Sequence, residues 1–462
     1  MIHKSDTIFA LATAYGQSGI GVIRVTGPLS KSISKKILHQ DLEPRYAYYG
    51  SFFDNDNNLI DKGVAISFPG PNSYTGEDVV EFQGHGGVSV IRKLLETIIS
   101  LDVRVAEPGE FTKRAFLNGK MDLVQAEAVQ DLIQSSSEES ALSAVRSLTG
   151  EFSEKINQIL SELIALRVFV EATIDFSDEE IDFLESHEVS SKLHSLKLTL
   201  LNILESANQG AILRDGIHVA IAGKPNAGKS SLLNSLTKQP SAIVTDVAGT
   251  TRDVLKETIQ IDGMPIHIID TAGLHNSDNI IEQEGIRRAH TEINNADVVL
   301  LVYDASDKSV DLSILPESVK DKPKIVIKNK IDLTGSKTGI QKIQNNPEIS
   351  ISAKNGDGIN IVRKALADFA GLNSNTEGVF LARKRHIIAI NETLSFINSA
   401  ISQLDGGASE LVAEDLRQAG MHLGQITGEF SSDDLLGQIF SSFCIGKSVS
   451  YTHLTLPTKR IV

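Results

Sequence analysis

One cysteine, Cys444, is all the thiol that this chain of 462 residues carries. A single thiol excludes a disulfide framework within the chain and a metal centre built from cysteines. A continuous apolar run of about eighteen residues, the length a membrane helix needs, is missing as well. The N-terminal stretch MIHKSDTIFALATAYG lacks both the basic start with a long apolar core and the small-residue cleavage site of a secretory leader, so a cytoplasmic protein is expected. Basic charge is in short supply. Lys and Arg number 44 against 59 Asp and Glu, and the net charge of −15 argues against broad, non-specific nucleic-acid binding, which comes from neutralising phosphates. A local basic site stays open. ARKRH at Ala382 to His386 is the densest cluster, with a solvated helix start as its bland reading. No solenoid repeat or low-complexity tract interrupts the chain.

What the chain does have is an ordinary globular apolar fraction of 41% and a length that one core rarely fills, so about three domains are expected. Its most informative stretch is GKPNAGKS, residues 223 to 230, which fits the phosphate-cradling pattern G-x-x-x-x-G-K-[ST]. Glycines let a phosphate approach the backbone, and successive N–H groups with a helix N-terminus supply the positive field. Asn226, Ala227, Gly228, Lys229, Ser230 and Ser231 form the expected cradle. Lys229 would place its charge on the β/γ oxygens, and the Ser230 hydroxyl would be a ligand of Mg²⁺. The β-branched run HVAIAG before it and the spacing of Leu232, Leu233 and Leu236 after it set the loop between a strand and a helix.

Around this loop the periodicity changes three times. Residues 1 to 118 alternate apolar and polar positions between Gly, Pro and Asn turns, with a helix over Val88 to Ser100, and read as a mixed α+β domain. Residues 119 to 215 are almost wholly helical, and Ser177 with Glu180 forms a capping box that accounts for the acidic cluster beside it. Residues 216 to 372 alternate strands and helices, an α/β domain with a parallel sheet. Residues 373 to 447 return to helical spacing. The fold class expected is therefore multidomain: an N-terminal α+β domain, a discontinuous all-α helical domain, and an α/β P-loop domain inserted into it.

Three further motifs follow the loop in the order a guanine-nucleotide site requires. PIHIIDTAG ends a strand at Asp270, placed to hold the magnesium through water, and leads through Thr271 and Ala272 to Gly273, whose N–H faces the γ-phosphate. PKIVIKNKID brings Asn329, Lys330, Ile331 and Asp332. Asp332 can accept both N1–H and the N2 amino group of guanine, a pair that adenine does not offer. ISISAKNGDG supplies Ser352, Ala353 and Lys354 to complete the base pocket. The residue after DTAG is Leu274, where Ras-like GTPases place the glutamine that orients the attacking water, and leucine cannot do so.

The four motifs resemble those of translation-factor-class GTPases, and AIVTDVAGTTRDV resembles switch I of the potassium-activated TrmE-Era-EngA-YihA-Septin-like group. In such a site a monovalent cation neutralises developing charge as an arginine finger would. Beyond this domain, GPNSYTGEDVVEFQGHGG, RAFLNGKMDLVQAEA, TIDFSDEEIDF and ITGEFSSDDLLGQIFSSFCIGK resemble the MnmE (TrmE) family of tRNA modification GTPases, from about residue 5 to Lys447. The resemblance implies an N-terminal folate-binding-like domain that makes a homodimer and holds 5-formyl- or 5,10-methylenetetrahydrofolate through Arg24, Glu81, Lys120 and Lys447. It implies K⁺ at Asn226, Thr245, Val247 and Thr250, and Mg²⁺ at Ser230 and Thr251, with Asp246, Ala248 and Gly249 in the same switch. GTP and GDP are the nucleotides. Glu282 matches the family glutamate that orients the nucleophilic water indirectly, its bland alternative being a solvated helix carboxylate. Arg252 and Asp253 read as switch residues in G-domain pairing, and Cys444 as either a small buried hydrophobe or a participant in the modification chemistry.

The same resemblance implies a partner, the FAD-dependent MnmG (GidA), forming a heterotetramer. With it the chain would add an aminomethyl or carboxymethylaminomethyl group to C5 of the wobble uridine (U34) of certain tRNAs. The alternative of another class is a regulatory GTPase of ribosome or tRNA-complex assembly without one-carbon chemistry. One departure stands out: family members end at the lysine of FCIGK, whereas residues 448 to 462, SVSYTHLTLPTKRIV, match no motif and read as a non-native tail.

Overall fold

The computed structural model describes residues 6–135, 137–175, 184–237, 256–261, 263–270, 294, 296–307, 309–310, 315, 320–343, 346–371, 379–429, 436, 439–441 and 443. The chain divides into two compact units, one of residues 1–134, 146–197 and 392–462, the other of residues 135–145 and 198–391.

In the first unit a sheet is built from β1 (Ile8–Leu11), β2 (Ser18–Thr26), β3 (Tyr48–Phe53), β4 (Leu59–Phe68), β5 (Val79–Gly86) and β6 (Arg104–Val105), in the order β3-β4-β5-β2-β1-β6. All neighbours are antiparallel except β1 and β6. The period-2 pattern of the strands sorts their side chains to two faces. Phe9, Ile23, Val25, Phe52 and Phe82 bury against Ile33 and Ile37 of helix Ser30–Leu38 and Ile91, Leu94 and Ile98 of helix Val88–Ile99. Each such side chain contributes about 1.5–3 kcal/mol by burial. Ile8 and Ala10, alternating with Phe9, point to the opposite face, where Tyr74, Phe111 and Ala115 cover them. That second face also carries the paired Arg24 and Glu81.

The same unit holds long helices. Helix Glu151–Asp175 packs along helix Ser409–Thr427, so segments lying before and after the α/β region in sequence meet in one core. Helix Leu123–Gln134 joins them, with Leu123 and Ala126 buried against Ile439, Phe440 and Phe443.

The second unit is organised on β7 (Ile217–Ala222), β8 (Lys256–Ile261), β9 (Met264–Asp270), β10 (Val298–Asp304), β11 (Lys324–Asn329), β12 (Gly339–Ile343) and β13 (Asn346–Ser350), ordered β12-β13-β11-β10-β7-β9-β8. The strands β13, β11, β10, β7 and β9 are parallel, as the alternating pattern predicts. The sheet as a whole is mixed, because β8 pairs antiparallel with β9 and β12 antiparallel with β13. Short connections explain the difference: only a couple of residues separate the paired strands, enough for a hairpin and far short of the crossover that a parallel pair needs. Both faces of the central strands are buried, which is why β7 and β10 read as nearly continuous apolar runs. Helices Lys229–Thr237 and Ile359–Ala370 cover one face through Leu232, Leu236, Val362 and Leu366.

Candidate functional site

The motif-bearing loops of the second unit leave the carboxyl ends of β7, β11 and β13, where ligands of open α/β sheets bind. The phosphate loop follows β7 and runs into helix Lys229–Thr237, whose first turn holds Lys229, Ser230 and Ser231. Asn226 is exposed and adopts a left-handed φ of 64° within the loop. The Lys229 ammonium donates to the carbonyls of Gly223 at 2.8 Å and Lys224 at 3.1 Å, arching over the cradle. The glycines serve a purpose the motif alone does not reveal. A Cβ on Gly223 would overlap the Val302 carbonyl of β10, and one on Gly228 would overlap the Asn329 side-chain amide. Both have positive φ, 154° and 94°. Close protein packing, in addition to room for phosphate, requires them.

Asn329 is the joint of the site. Its Nδ2 donates to the Ala227 carbonyl at 3.0 Å, and its Oδ1 accepts the Ala353 N–H at 3.0 Å, so one buried amide ties the phosphate loop to the SAK loop. Asp332, exposed beside it, accepts a 2.7 Å hydrogen bond from Ser352 Oγ. Ile331 is buried and anchors the turn, and Lys354 is exposed at the rim. Lys330 has a left-handed φ of 64° and places its ammonium 2.7 Å from Asp304 Oδ2, at the end of β10. Asp304 Oδ1 accepts the Ser306 N–H at 2.9 Å and hydroxyl at 2.7 Å. These donors, the Lys330 ammonium foremost, hold the Asp304 carboxyl at about 2. Sequence reasoning passed over Asp304 and also Ser235, whose hydroxyl donates to the Ala353 carbonyl. The Asp-x-Ser spacing in DAS was the signal for the first, since it makes the side chain accept from the backbone two residues on.

The structure therefore gathers Asn226 to Ser231, Asn329 to Asp332 and Ser352 to Lys354 into one region. The backbone of Asp270 ends β9, adjacent to β7 in the sheet. Thr245, Asp246, Val247, Ala248, Gly249, Thr250, Thr251, Arg252, Asp253, Thr271, Ala272, Gly273, Leu274, Glu282, Cys444, Lys447, the capping box at Ser177 and the tail 448–462 lie outside the described residues.

In the first unit, Arg24 of β2 and Glu81 of β5 are cross-strand partners. Arg24 Nε and Nη2 reach Glu81 Oε1 at 2.8 and 2.7 Å, with the two side chains only 3% and 8% exposed. Gln83 Nε2 donates to the other oxygen at 3.2 Å. The guanidinium lies 5.5 Å from the Tyr74 ring centre and 5.9 Å from that of Phe111, within cation–π range. Tyr74 in turn shares a 2.9 Å hydrogen bond with Thr112. Lys120 is exposed, its stem beside Gly76 at the end of the loop that carries Tyr74.

Residues 123–444 match the family model described as MnmE helical domain, and residues 7–120 match GTP-binding protein TrmE N-terminus. The tRNA modification GTPase MnmE of Ruthia magnifica subsp. Calyptogena magnifica is 60% identical over 447 residues, covering 97% of this chain and 100% of that protein. The chain belongs to the MnmE family. The tRNA modification GTPase MnmE of a Marinomonas species is 50% identical over 449 residues, 96% of this chain and 98% of its own. Among solved structures, the G domain of the T. maritima FeoB iron transporter is 26% identical across 33% of this chain and 98% of that one, with a TM-score of 0.24. Membership makes the chain a GTP-binding protein whose reaction is GTP hydrolysis in tRNA modification. Among the described residues, no helix is long and apolar enough to cross a membrane.

Proposed function

We propose that this GTPase is potassium-activated and works in the cytoplasm as a homodimer. With the FAD-dependent partner MnmG, it adds an aminomethyl or carboxymethylaminomethyl group to C5 of the wobble uridine of tRNA, drawing one carbon from a tetrahydrofolate. The observation that carries the potassium reading is the exposed Asn226, held in the phosphate loop at a left-handed φ of 64°, in a chain whose DTAG motif is followed by leucine. Asn226 would hold the monovalent cation with Thr245, Val247 and Thr250, and that cation supplies positive charge beside the β/γ bridge when bound. Ser230, exposed in the first helical turn, fits a magnesium-bound hydroxyl, with Thr251 as the second protein ligand. Glu282 is assigned to orienting the attacking water.

For the folate, the donor set of the N-terminal sheet is suitable. Glu81 keeps lone pairs for the donors of a pterin edge while Arg24 balances its charge, and exposed Lys120 suits the glutamate tail. Lys447 and Cys444 are assigned to the same pocket.

The test is hydrolysis of GTP by the full chain in K⁺ against Na⁺. A several-fold faster rate in K⁺ that Asn226→Ala abolishes is expected, and equal rates overturn the cation reading. Calorimetric titration with 5-formyltetrahydrofolate examines the other half. Absence of heat at high ligand concentration would favour a regulatory GTPase without one-carbon chemistry.

A further inference from the structure

Asp304 ends β10 and Lys330 follows β11, and the two side chains meet at the carboxyl end of these neighbouring strands. β10 and β11 run parallel with Asp304 directly beside Asn329, and Ala305 N donates to the Asn329 carbonyl at 2.7 Å. That register leaves Lys330, the next residue, turning away in a left-handed conformation as β11 passes into the short helix Ile331–Thr334. Free lysine side chains sample many rotamers, and ordering one costs conformational entropy. Here the ammonium is already captured at 2.7 Å, with Lys330 32% and Asp304 20% exposed.

We propose that Asp304 is a positioning residue for guanine-nucleotide binding, which fixes the Lys330 stem as a preformed wall of the base pocket. The inference rests on the reading of Lys330 and Asp332 as base-pocket residues. Asp304 does not touch the base itself. It draws the ammonium to one side so that the four methylenes of Lys330 lie along the pocket, and it neutralises a charge that would otherwise face the donor edge of guanine. Ser306 holds the carboxylate in place through two hydrogen bonds to Oδ1, leaving Oδ2 for the lysine. The depressed carboxyl keeps Asp304 ionised at neutral pH. Base selectivity remains with Asp332, so loss of Asp304 weakens guanine and inosine nucleotides in the same proportion.

The test measures dissociation of a fluorescent GDP analogue, and KM and kcat for GTP, in the full chain carrying Asp304→Asn, Lys330→Met, the double variant, Ser306→Ala and Asp332→Ala. Asp304→Asn should release GDP about tenfold faster and raise KM by a similar factor, with kcat moving less than twofold. Lys330→Met should show a comparable loss. The double variant should be no worse than the worse single one, since residues acting through one contact are not additive. Ser306→Ala should give a smaller increase in release of about threefold, and it serves as the measure if Asp304→Asn does not fold. Unchanged release in Asp304→Asn, or full additivity in the double variant, overturns the inference. If Lys330→Met and Asp332→Ala both leave GDP binding intact, the base-pocket reading itself fails.

Discussion

Asn329 and Ala227 are joined by a 3.0 Å hydrogen bond from a buried side-chain amide to a buried loop's carbonyl, across 102 positions of sequence. With its acceptor atom bound to Ala353, Asn329 ties the phosphate loop to the SAK loop at a fixed spacing. Preorganisation of this kind lowers the ordering cost of binding.

Gly228→Ala should therefore act through Asn329. The added Cβ would overlap the amide nitrogen, and φ of 94° is strained for alanine. We expect nucleotide affinity to fall at least tenfold, with a fall in stability of about 1–3 kcal/mol. Calorimetric GDP titration and thermal melts of the same variant measure the two effects. Retained affinity would show that the tether is dispensable.

The Arg24–Glu81 pair is stabilising only as a pair. Removing one charge strands the other in a site under one-tenth exposed, and Arg24→Ala should cost about 3–5 kcal/mol. Replacing both, as Arg24→Met with Glu81→Leu, should come out near neutral or better, because the desolvation of both charges disappears with their attraction. Urea unfolding of the three proteins compares them. Folate titration should fail for both variants if the pocket lies here.

Acid sensitivity should concentrate in a charge network on the same unit. Arg104 bonds Asp6 at 2.6 Å and Glu110 at 2.6 Å, and Arg114 bonds Asp6 at 2.7 Å and Glu110 at 3.1 Å. Asp6 is lowered, chiefly by its hydrogen bond from Arg104. Burial alone would raise Glu110, but hydrogen bonds from Arg104, the Glu107 N–H and Arg114 outweigh it and the net shift is downward. Groups with depressed folded pKa values stabilise above the unfolded carboxylate range of about 4 and lose that contribution as pH falls through their folded values. The melting temperature should thus decline between about pH 5 and pH 3, and Arg104→Gln should flatten that decline.

Gly210 sets two effects against each other. It lies inside helix Leu184–Asp215, where alanine is favoured by about 1 kcal/mol. A Cβ there would overlap the main-chain carbonyl of Phe380, which cannot swing aside as a side chain would. Overpacking costs about 1–3 kcal/mol, so Gly210→Ala should lower the melting temperature in spite of helix propensity.

Much of this was legible in the residues, and the remainder follows a pattern. Val88 to Ile99 announced its helix by spacing, and the strand before GKPNAGKS by its β-branched run, because both signals are local. The antiparallel edges β8 and β12 escaped because both are short and each is fixed by its neighbour across a tight turn. Asp332 was read from its hydrogen-bond inventory and Ser352 from its motif; for Asp304 the Asp-x-Ser spacing signals only the turn to Ser306, while its contact with Lys330 depends on the register between β10 and β11, which is tertiary. The close approach of Phe380 to Gly210 is likewise tertiary.

Asp332 offers the sharpest reversal of function. In the base-pocket reading its carboxylate presents two acceptors to N1–H and the N2 amino group of guanine, and Ser352 Oγ donates to one of those oxygens at 2.7 Å. Asp332→Asn exchanges one acceptor for a donor while keeping size and the contact to Ser352. Guanine then meets donor against donor, and affinity for GTP should fall about a hundredfold or more. Xanthine, which carries a carbonyl where guanine has its amino group, regains both hydrogen bonds. The variant should therefore hydrolyse XTP at concentrations where it barely turns over GTP. Ser352→Ala should weaken GTP binding about tenfold, the worth of one hydrogen bond to a charged group, with guanine still preferred. Competition between GTP and XTP in steady-state hydrolysis reads both outcomes, and an Asp332→Asn enzyme that still prefers GTP would place base recognition elsewhere.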